Sequence, residues 1–327
     1  MSTDIASTGK SDSVLRVKGL EKTFRIGFLR KKVPAVCGID FEVRRGEVFG
    51  LLGPNGAGKT STIKMVLRLI FQDRGSIALF DQDDPGRAVM ARVGYMPENP
   101  YIYQYLRPME FLDLCGRLAG MDGPSRRKRS AELVERVGLG HATDRPIGKF
   151  SKGMMQRIGI AQALLHDPEL LVLDEPMSGL DPIGRKEVRD LVLEQRAEGK
   201  TILFTSHILS DVEMLCDRVG IMQRGKMSHY GALDALLSAE TRRVEVELDS
   251  VGPDLESALE GLGATLEPAH GHLRVVVEGD AQPVMKAAIE HGAQILSVTP
   301  GRETLEGVFV RDALQERQDT TAAEGDA

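Results

Sequence analysis

Three short stretches of this chain carry side chains suited to one kind of chemistry, the handling of a phosphate chain. Gly53, Pro54, Asn55, Gly56, Ala57, Gly58, Lys59 and Thr60 fit the spacing G-x-x-x-x-G-K-[ST]. Glycines at these places let backbone N–H groups close around the β- and γ-phosphates of a nucleotide at a helix N-terminus. Lys59 neutralises phosphate charge, the Thr60 hydroxyl ligates Mg²⁺, and Ser61 extends the set of nucleotide contacts. A chance match in a chain this long is on the order of 1%, so a plain glycine-rich turn accounts poorly for it. The second stretch, LLVLDE, reads as an apolar strand ending in two acids. Asp174 at the strand end is placed to reach the metal, and Glu175 to take a proton from an attacking water. Alone this would be weak evidence; beside a phosphate loop on the same sheet it is strong.

His207 follows the third stretch, TILFTS. A lone histidine at a strand end is more often structural than catalytic. In a parallel sheet, however, strand C-termini share the ligand side, which puts His207 with Thr60 and Asp174. There it could contact the γ-phosphate and hold the hydrolytic water. An adenine needs an aromatic or apolar face. Phe24 is the candidate, with Phe28 the alternative, and either could be an ordinary core residue. A further stretch, FSKGMMQR, offers Ser151 as a helix N-cap and Gly153 for close approach, with the helix dipole adding positive potential. A capped helix explains that pattern locally, so its meaning depends on its company.

The elements that must position these residues alternate. VLRVKGLEKTF reads as a strand, and GIDFEVRRGEVFGLLG as two more joined at Arg45-Gly46. A helix is predicted from Lys59 to about Ile70, followed by short strands at GSIALF and RVGYM. From Pro108 to Leu165 the texture is helical, with Leu133, Val134 and Val137 on one side of one helix. The run Arg126 to Arg129 reads as a solvated helix face. Strands at ELLVLDEP and KTILFTSH flank the helix RKEVRDLVLEQRAEG, implying a mostly parallel sheet covered on both faces. Beyond Thr241 the order β-α-β-β-α-β is that of a split βαβ, ferredoxin-like unit, with Val244, Val246 and Leu248 on one face. No cluster in that unit suggests catalysis.

At 327 residues, 42% of them hydrophobic, the chain is expected to be globular and long enough for two cores. A formal net charge of -6 argues against a nucleic-acid partner. Cys37, Cys115 and Cys216 match no metal or disulfide spacing and are expected to be reduced, buried thiols. There is neither a signal-peptide core at the polar start nor an apolar run of about 18 residues, so work at a membrane would need a partner.

The order of motifs, phosphate loop, helices, FSKGMMQR, LLVLDE, SGLD and TSH, resembles the ATP-binding-cassette (ABC) family of transporter ATPases over roughly Val14 to Leu237. The resemblance implies that GPNGAGKT is the Walker A motif, LLVLDE the Walker B motif and FSKGMMQR the signature. SGLD becomes the D-loop, with Asp181 near nucleotide, and His207 the switch histidine. It implies ATP and Mg²⁺ as ligands, with Thr60, Asp174 and Glu98 around the metal. It also implies a head-to-tail homodimer in which the signature of one copy closes on the ATP of the other. Two positions depart from the family pattern. LSGGQ is here Phe150-Ser151-Lys152-Gly153-Met154, and the Q-loop glutamine is Glu98, which can ligate Mg²⁺ but adds negative charge near the γ-phosphate. Both departures, and ETLEGVFV near the C-terminus, look like a branch of bacterial exporter ATPases whose membrane permease is a separate chain.

The expected fold is therefore α/β, a P-loop NTPase with a helical subdomain, plus a small C-terminal α+β unit. The expected limits are a disordered 1–13, an ATP-binding domain over 14–238 with its helical subdomain at about 100–165, an accessory domain over 240–311 and a disordered 312–327. The expected location is cytoplasmic, on the inner face of the cell membrane. One rival is a soluble ABC ATPase of translation or DNA repair. Tandem cassettes would mark the first and long heptad insertions the second, and neither is present. Another rival is a cassette that binds ATP as a regulator without hydrolysing it, against which Glu175 and His207 argue.

Overall fold

The computed structural model describes residues 12–28, 30–100, 102–238, 243–249, 251–269, 272–301 and 305. They fall into two compact units that divide between Leu233 and Asp234. Most of the two stretches expected to be disordered, and most of ETLEGVFV, lie outside the described residues.

In the first unit, β1 (Ser13–Ile26) and β2 (Lys31–Arg44) form a long antiparallel hairpin with Ile26 opposite Lys31. Gly27 and Phe28 thus lie at the far end of that hairpin. β3 (Val48–Leu52) is buried at every residue and feeds α1 (Lys59–Val66). This helix stops four residues short of the predicted Ile70. Arg68 turns into the left-handed region at φ 57, and the amides of Leu69 and Ile70 both point back to the Lys64 carbonyl. β4 (Arg74–Leu79) pairs with the free edge of β1, giving a three-stranded antiparallel sheet in the order β2-β1-β4. α2 (Arg87–Met90) and β5 (Val93–Met96) lead into the helical segment.

That segment holds α3 (Pro108–Leu118), α4 (Gly123–Arg136) and α5 (Lys152–Leu164). Pro108 opens α3, and the Arg107 amide donates to the Glu110 carboxylate at 2.9 Å. The Asp122 carboxylate caps α4 by accepting from the Ser125 amide at 3.0 Å. Such a cap typically contributes ~1 kcal/mol. Leu133, Val134 and Val137 are buried, as the amphipathic pattern predicts. The basic run divides, contrary to the reading of one solvated face. Arg127 and Lys128 are exposed, but Arg126 turns inward onto the Asp113 carboxylate and Met121 carbonyl, and Arg129 pairs with Glu132 and Asp167. A helix packed on two sides leaves only part of its circumference to water.

β6 (Leu170–Leu173), α6 (Pro182–Ala197), β7 (Thr201–Ser206), α7 (Leu209–Leu215), β8 (Arg218–Gln223) and β9 (Lys226–Ala232) complete the unit. The main sheet runs β5-β6-β7-β3-β8-β9, parallel except for β9 at one edge. β3, β6 and β7 are buried throughout, which is why β3 and β6 are continuously apolar instead of alternating, while β7 is apolar at its centre, Ile202 to Phe204, and ends in buried hydroxyls. The core gathers Leu15, Ile39, Phe49, Ile63, Leu79 and Leu203, each contributing roughly 1.5–3 kcal/mol on burial. The three cysteines are free, of intermediate exposure instead of the full burial expected. α8 (Leu233–Ser238) crosses the division between the units.

The second unit has β10 (Arg243–Asp249), α9 (Pro253–Gly261), β11 (Thr265–Ala269), β12 (His272–Glu278), α10 (Gln282–Glu290) and β13 (Gln294–Gly301). Its antiparallel sheet runs β11-β12-β10-β13. Val246 and Leu248 from β10 meet Val275 and Val277 from β12, Leu255 and Leu259 from α9, and Val284 and Ala288 from α10. Val244 lies at the margin of this core.

Candidate active site

The parallel pairing of β3, β6 and β7 brings three strand ends together. Leu52 lies opposite Ser206, and Leu173 opposite Phe204, so the loop after β3, Asp174-Glu175 and His207 emerge side by side. The Gly53 amide donates to the Ser206 carbonyl at 3.3 Å and ties the loop's start to β7. Glycine is required at two loop positions for physical reasons. A Cβ on Gly53 would sit 2.3 Å from the Met222 carbonyl oxygen. Gly58, at φ 105, would put one 2.4 Å from the Ala35 carbonyl oxygen. Gly58 is also the N-cap of α1, which aims the positive end of that helix into the loop.

A cavity of about 380 Å³ opens there. Pro54 through Ser61 line it, with Phe24 and Ala35 from the hairpin and Glu98, Glu175, Ser178 and His207 opposite. Gly53 stands just behind this lining, through its carbonyl. Lys59 is 6% exposed, and its Nζ donates to the Gly53 carbonyl at 2.6 Å and the Pro54 carbonyl at 3.3 Å. The same Nζ lies 3.1 Å from Glu175 Oε1, whose side chain is 7% exposed. His207 Nδ1 is 2.7 Å from Glu175 Oε2. One buried carboxylate therefore spans a lysine and an imidazole. Glu175 holds this pose at φ 50, in the left-handed region that side chains rarely adopt, and its amide donates to Thr205 Oγ1 at 2.9 Å.

Asp174 Oδ1 accepts from Thr60 Oγ1 at 3.2 Å and from Thr205 Oγ1 at 2.7 Å. Burial pushes its carboxyl above the usual range, the two hydroxyls oppose this, and Glu98 and Glu175 add to it. A cation between Asp174 and a bound phosphate would reverse that balance. The donors Thr60, Asp174 and Glu98 are all oxygen, as a hard cation requires. Among the described residues no group of three or more His, Cys, Asp or Glu could hold a metal. Mg²⁺ takes one or two carboxylates and completes its shell with water and substrate phosphate, and two carboxylates, Asp174 and Glu98, are the donors offered here.

The two aromatic candidates separate. Phe24 lines the cavity, whereas Phe28, at the hairpin tip, is fully exposed and does not. Ser151 and Gly153 also do not line the cavity. Ser151 caps α5, its Oγ accepting from the Met154 amide at 3.3 Å, and both residues open toward solvent or half-exposed surface. Lys152 lies across SGLD of its own chain, since a Cβ on Gly179 would come 2.3 Å from its Nζ. Asp181 is exposed and caps α6, accepting from the Gly184 amide at 2.8 Å. Sequence reasoning missed Thr205 and Ser178. Thr205 could have been found by pairing LLVLDE beside ILFTSH in parallel, which sets its hydroxyl against Asp174.

Comparisons with known proteins bear on this arrangement. The family described as ABC transporter matches residues 36–178. An uncharacterized ABC transporter ATP-binding protein of Nostoc sp. (strain PCC 7120) is 39% identical over 321 residues, covering 97% of this chain and 94% of that one. The Nod factor export ATP-binding protein I of Ralstonia nicotianae is 35% identical over 317 residues, covering 94% and 96%. A solved structure described as the ATP binding subunit of an ABC transporter aligns with a TM-score of 0.60 at 32% identity, covering 68% of this chain and 92% of that one.

Proposed function

The chain belongs to the ABC transporter ATP-binding proteins, and from that premise we propose that it binds and hydrolyses ATP to drive export through a separate membrane permease. The observation that carries the reading is the convergence of Lys59, Thr60, Glu175 and His207 on one cavity, with Asp174 bonded to Thr60 behind its lining. Lys59 is shared between loop carbonyls and Glu175. A bound γ-phosphate competes for the ammonium and releases one carboxylate oxygen. His207 continues to hold the other oxygen, so Glu175 is oriented and free to accept a proton from water. Thr60, Asp174 and Glu98 would hold Mg²⁺, which would supply positive charge against the phosphates. Phe24 offers its ring to the adenine.

Ser151 and Gly153 do not line their own cavity and are at least partly exposed, which supports a head-to-tail pair in which each signature closes on the partner's ATP. Among the described residues no helix is long and apolar enough to cross a membrane. The cargo path is accordingly assigned to another chain, and the location at the inner face of the cell membrane follows from the family resemblance. The direction is read as export from relatives such as the Nod factor export protein.

Phosphate release by the purified chain tests the assignment. The wild type should turn over ATP, and Glu175→Gln should lose roughly 10²–10⁴-fold in rate while still binding ATP. Turnover of Glu175→Gln within a few-fold of wild type would remove Glu175 from the role of base.

A further inference from the structure

The far end of the β1–β2 hairpin carries side chains that nucleotide binding leaves unexplained. Every described residue from Arg25 to Pro34 is exposed, so this end stands clear of the first unit's core. Phe28 is fully exposed, and Ile26 and Val33 are exposed beside it. Four cations, Arg25, Arg30, Lys31 and Lys32, share the same short stretch of a chain whose formal net charge is -6. Among the described residues, Arg30, Lys31 and Lys32 form no ion pair. Arg25 lies opposite Lys32, and Ile26 opposite Lys31. At a strand rise of ~3.3 Å per residue, these pairs sit within about 7 Å of the turn. That is inside one Debye length, ~10 Å at 0.1 M salt, so the tip is a concentrated positive site on an acidic chain.

Local structure explains only part of this. β2 is an edge strand in the order β2-β1-β4, and lysines on an edge discourage pairing with another sheet. That accounts for Lys31 and Lys32. The turn is closed by the Arg30 amide, which donates to the Gly27 carbonyl at 3.0 Å, with Gly27 at φ 74 and Arg30 at φ 50. Neither device needs an aromatic ring in water at the tip. Phe28 does not line the nucleotide cavity, and a fully exposed ring gains nothing from burial within the chain.

We propose that this hairpin tip docks on an anionic lipid surface, with Phe28 at headgroup level and Arg25, Arg30, Lys31 and Lys32 against the lipid phosphates. It adds a direct lipid contact to the membrane location given above and rests on that reading. The charge pattern selects a bilayer over a protein partner. Cations of one sign, without acids among them, complement a uniformly anionic surface, whereas a protein interface pairs charges individually. The apolar side chains stand at the projecting end and the long basic ones flank them. In that arrangement an aromatic ring enters the interface while lysine and arginine stems reach the headgroups. Each cation near such a surface strengthens partitioning about fivefold, and the ring about tenfold or more.

The test is flotation of the full chain with protein-free vesicles, either phosphatidylcholine alone or phosphatidylcholine mixed with phosphatidylglycerol. Wild type should partition onto the mixed vesicles at least tenfold more strongly than onto phosphatidylcholine, and ~1 M salt should remove the difference. Phe28→Ser should lose about tenfold in partitioning. Arg30→Gln with Lys31→Gln should lose about twenty-fivefold, two fivefold steps. ATP turnover without vesicles should stay within twofold of wild type in both variants, because none of these residues lines the cavity. Equal binding to the two vesicle types overturns the proposal, as does anionic binding that both variants retain. So does a third result: no binding to protein-free vesicles, with Phe28→Ser weakening attachment only to native membrane vesicles. The partner is then a membrane protein. Any of these results beside normal ATP turnover removes the lipid contact and leaves the ATPase assignment standing.

Discussion

Replacing Lys59 by alanine should destabilise the nucleotide-free protein as well as silence it. Lys59 and Glu175 form an ion pair at 3.1 Å with side chains only 6% and 7% exposed. Removing one partner of a buried pair leaves an uncompensated charge and typically costs about 3–5 kcal/mol. His207 Nδ1 at 2.7 Å remains beside the orphaned carboxylate, which places the cost near the lower end, ~3 kcal/mol. For a unit of this size that corresponds to a drop of roughly 6–12 °C in Tm. Differential scanning fluorimetry without nucleotide measures it directly. The companion variant Lys59→Met with Glu175→Gln removes both charges and keeps apolar volume, so it should recover to within about 3 °C of wild type. Lys59→Ala should also abolish phosphate release, because the phosphates lose their counter-ion. A Tm for Lys59→Ala within about 2 °C of wild type would mean that the buried pair carries no such stabilisation. A double variant no better than the single would show that the lost contact, not the stranded charge, is responsible.

Other expectations bear on the rest of the site. Glu98→Gln should leave ATP affinity within about tenfold, ~1.4 kcal/mol or less, while the hydrolysis rate changes more; the reverse pattern in titration and turnover would contradict the place given to Glu98. Phe24→Ala should weaken ATP binding by about 1–3 kcal/mol, at least fivefold in Kd, and Phe28→Ala should not. Equal effects of the two in a nucleotide titration would separate adenine from Phe24. Asp174 has its carboxyl raised by burial, so between the unfolded and folded pKa values the folded state binds the extra proton. Its contribution to stability is present at low pH and lost as pH rises through the folded value. Asp174→Asn should therefore raise Tm without nucleotide at neutral pH and flatten that part of the pH profile, while ending Mg²⁺-dependent turnover. A lowered Tm in the variant would count against this.

Much of the site could be read along the chain because its parts are local. The loop from Gly53 to Thr60 carries its glycines, lysine and hydroxyl in eight consecutive residues, and Asp174-Glu175 ends a strand whose buried apolar run is unmistakable. The second unit was legible for a similar reason, since Val244, Val246 and Leu248 alternate with charges along β10. What depended on pairing was not legible. Thr205 joins Asp174 only because Leu173 lies opposite Phe204. The choice between Phe24 and Phe28 waited on the hairpin turning between Ile26 and Lys31, which carries Phe28 out to its tip. Arg126 and Arg129 looked like any solvated charge run until α4 acquired neighbours on two sides.

The central claim is that two chains share their phosphate sites, with Ser151 of each serving the other's ATP. Sedimentation velocity on Glu175→Gln, with and without ATP–Mg²⁺, tests it when run beside Glu175→Gln carrying Ser151→Arg. The first variant should be a dimer with ATP and a monomer without it, because ATP binds and is not hydrolysed. The second places a long side chain where the partner's γ-phosphate must sit and leaves its own cavity untouched. It should bind ATP in a parallel titration and stay monomeric. If it still dimerises with ATP, Ser151 is only the cap of α5 and the shared-site account is wrong.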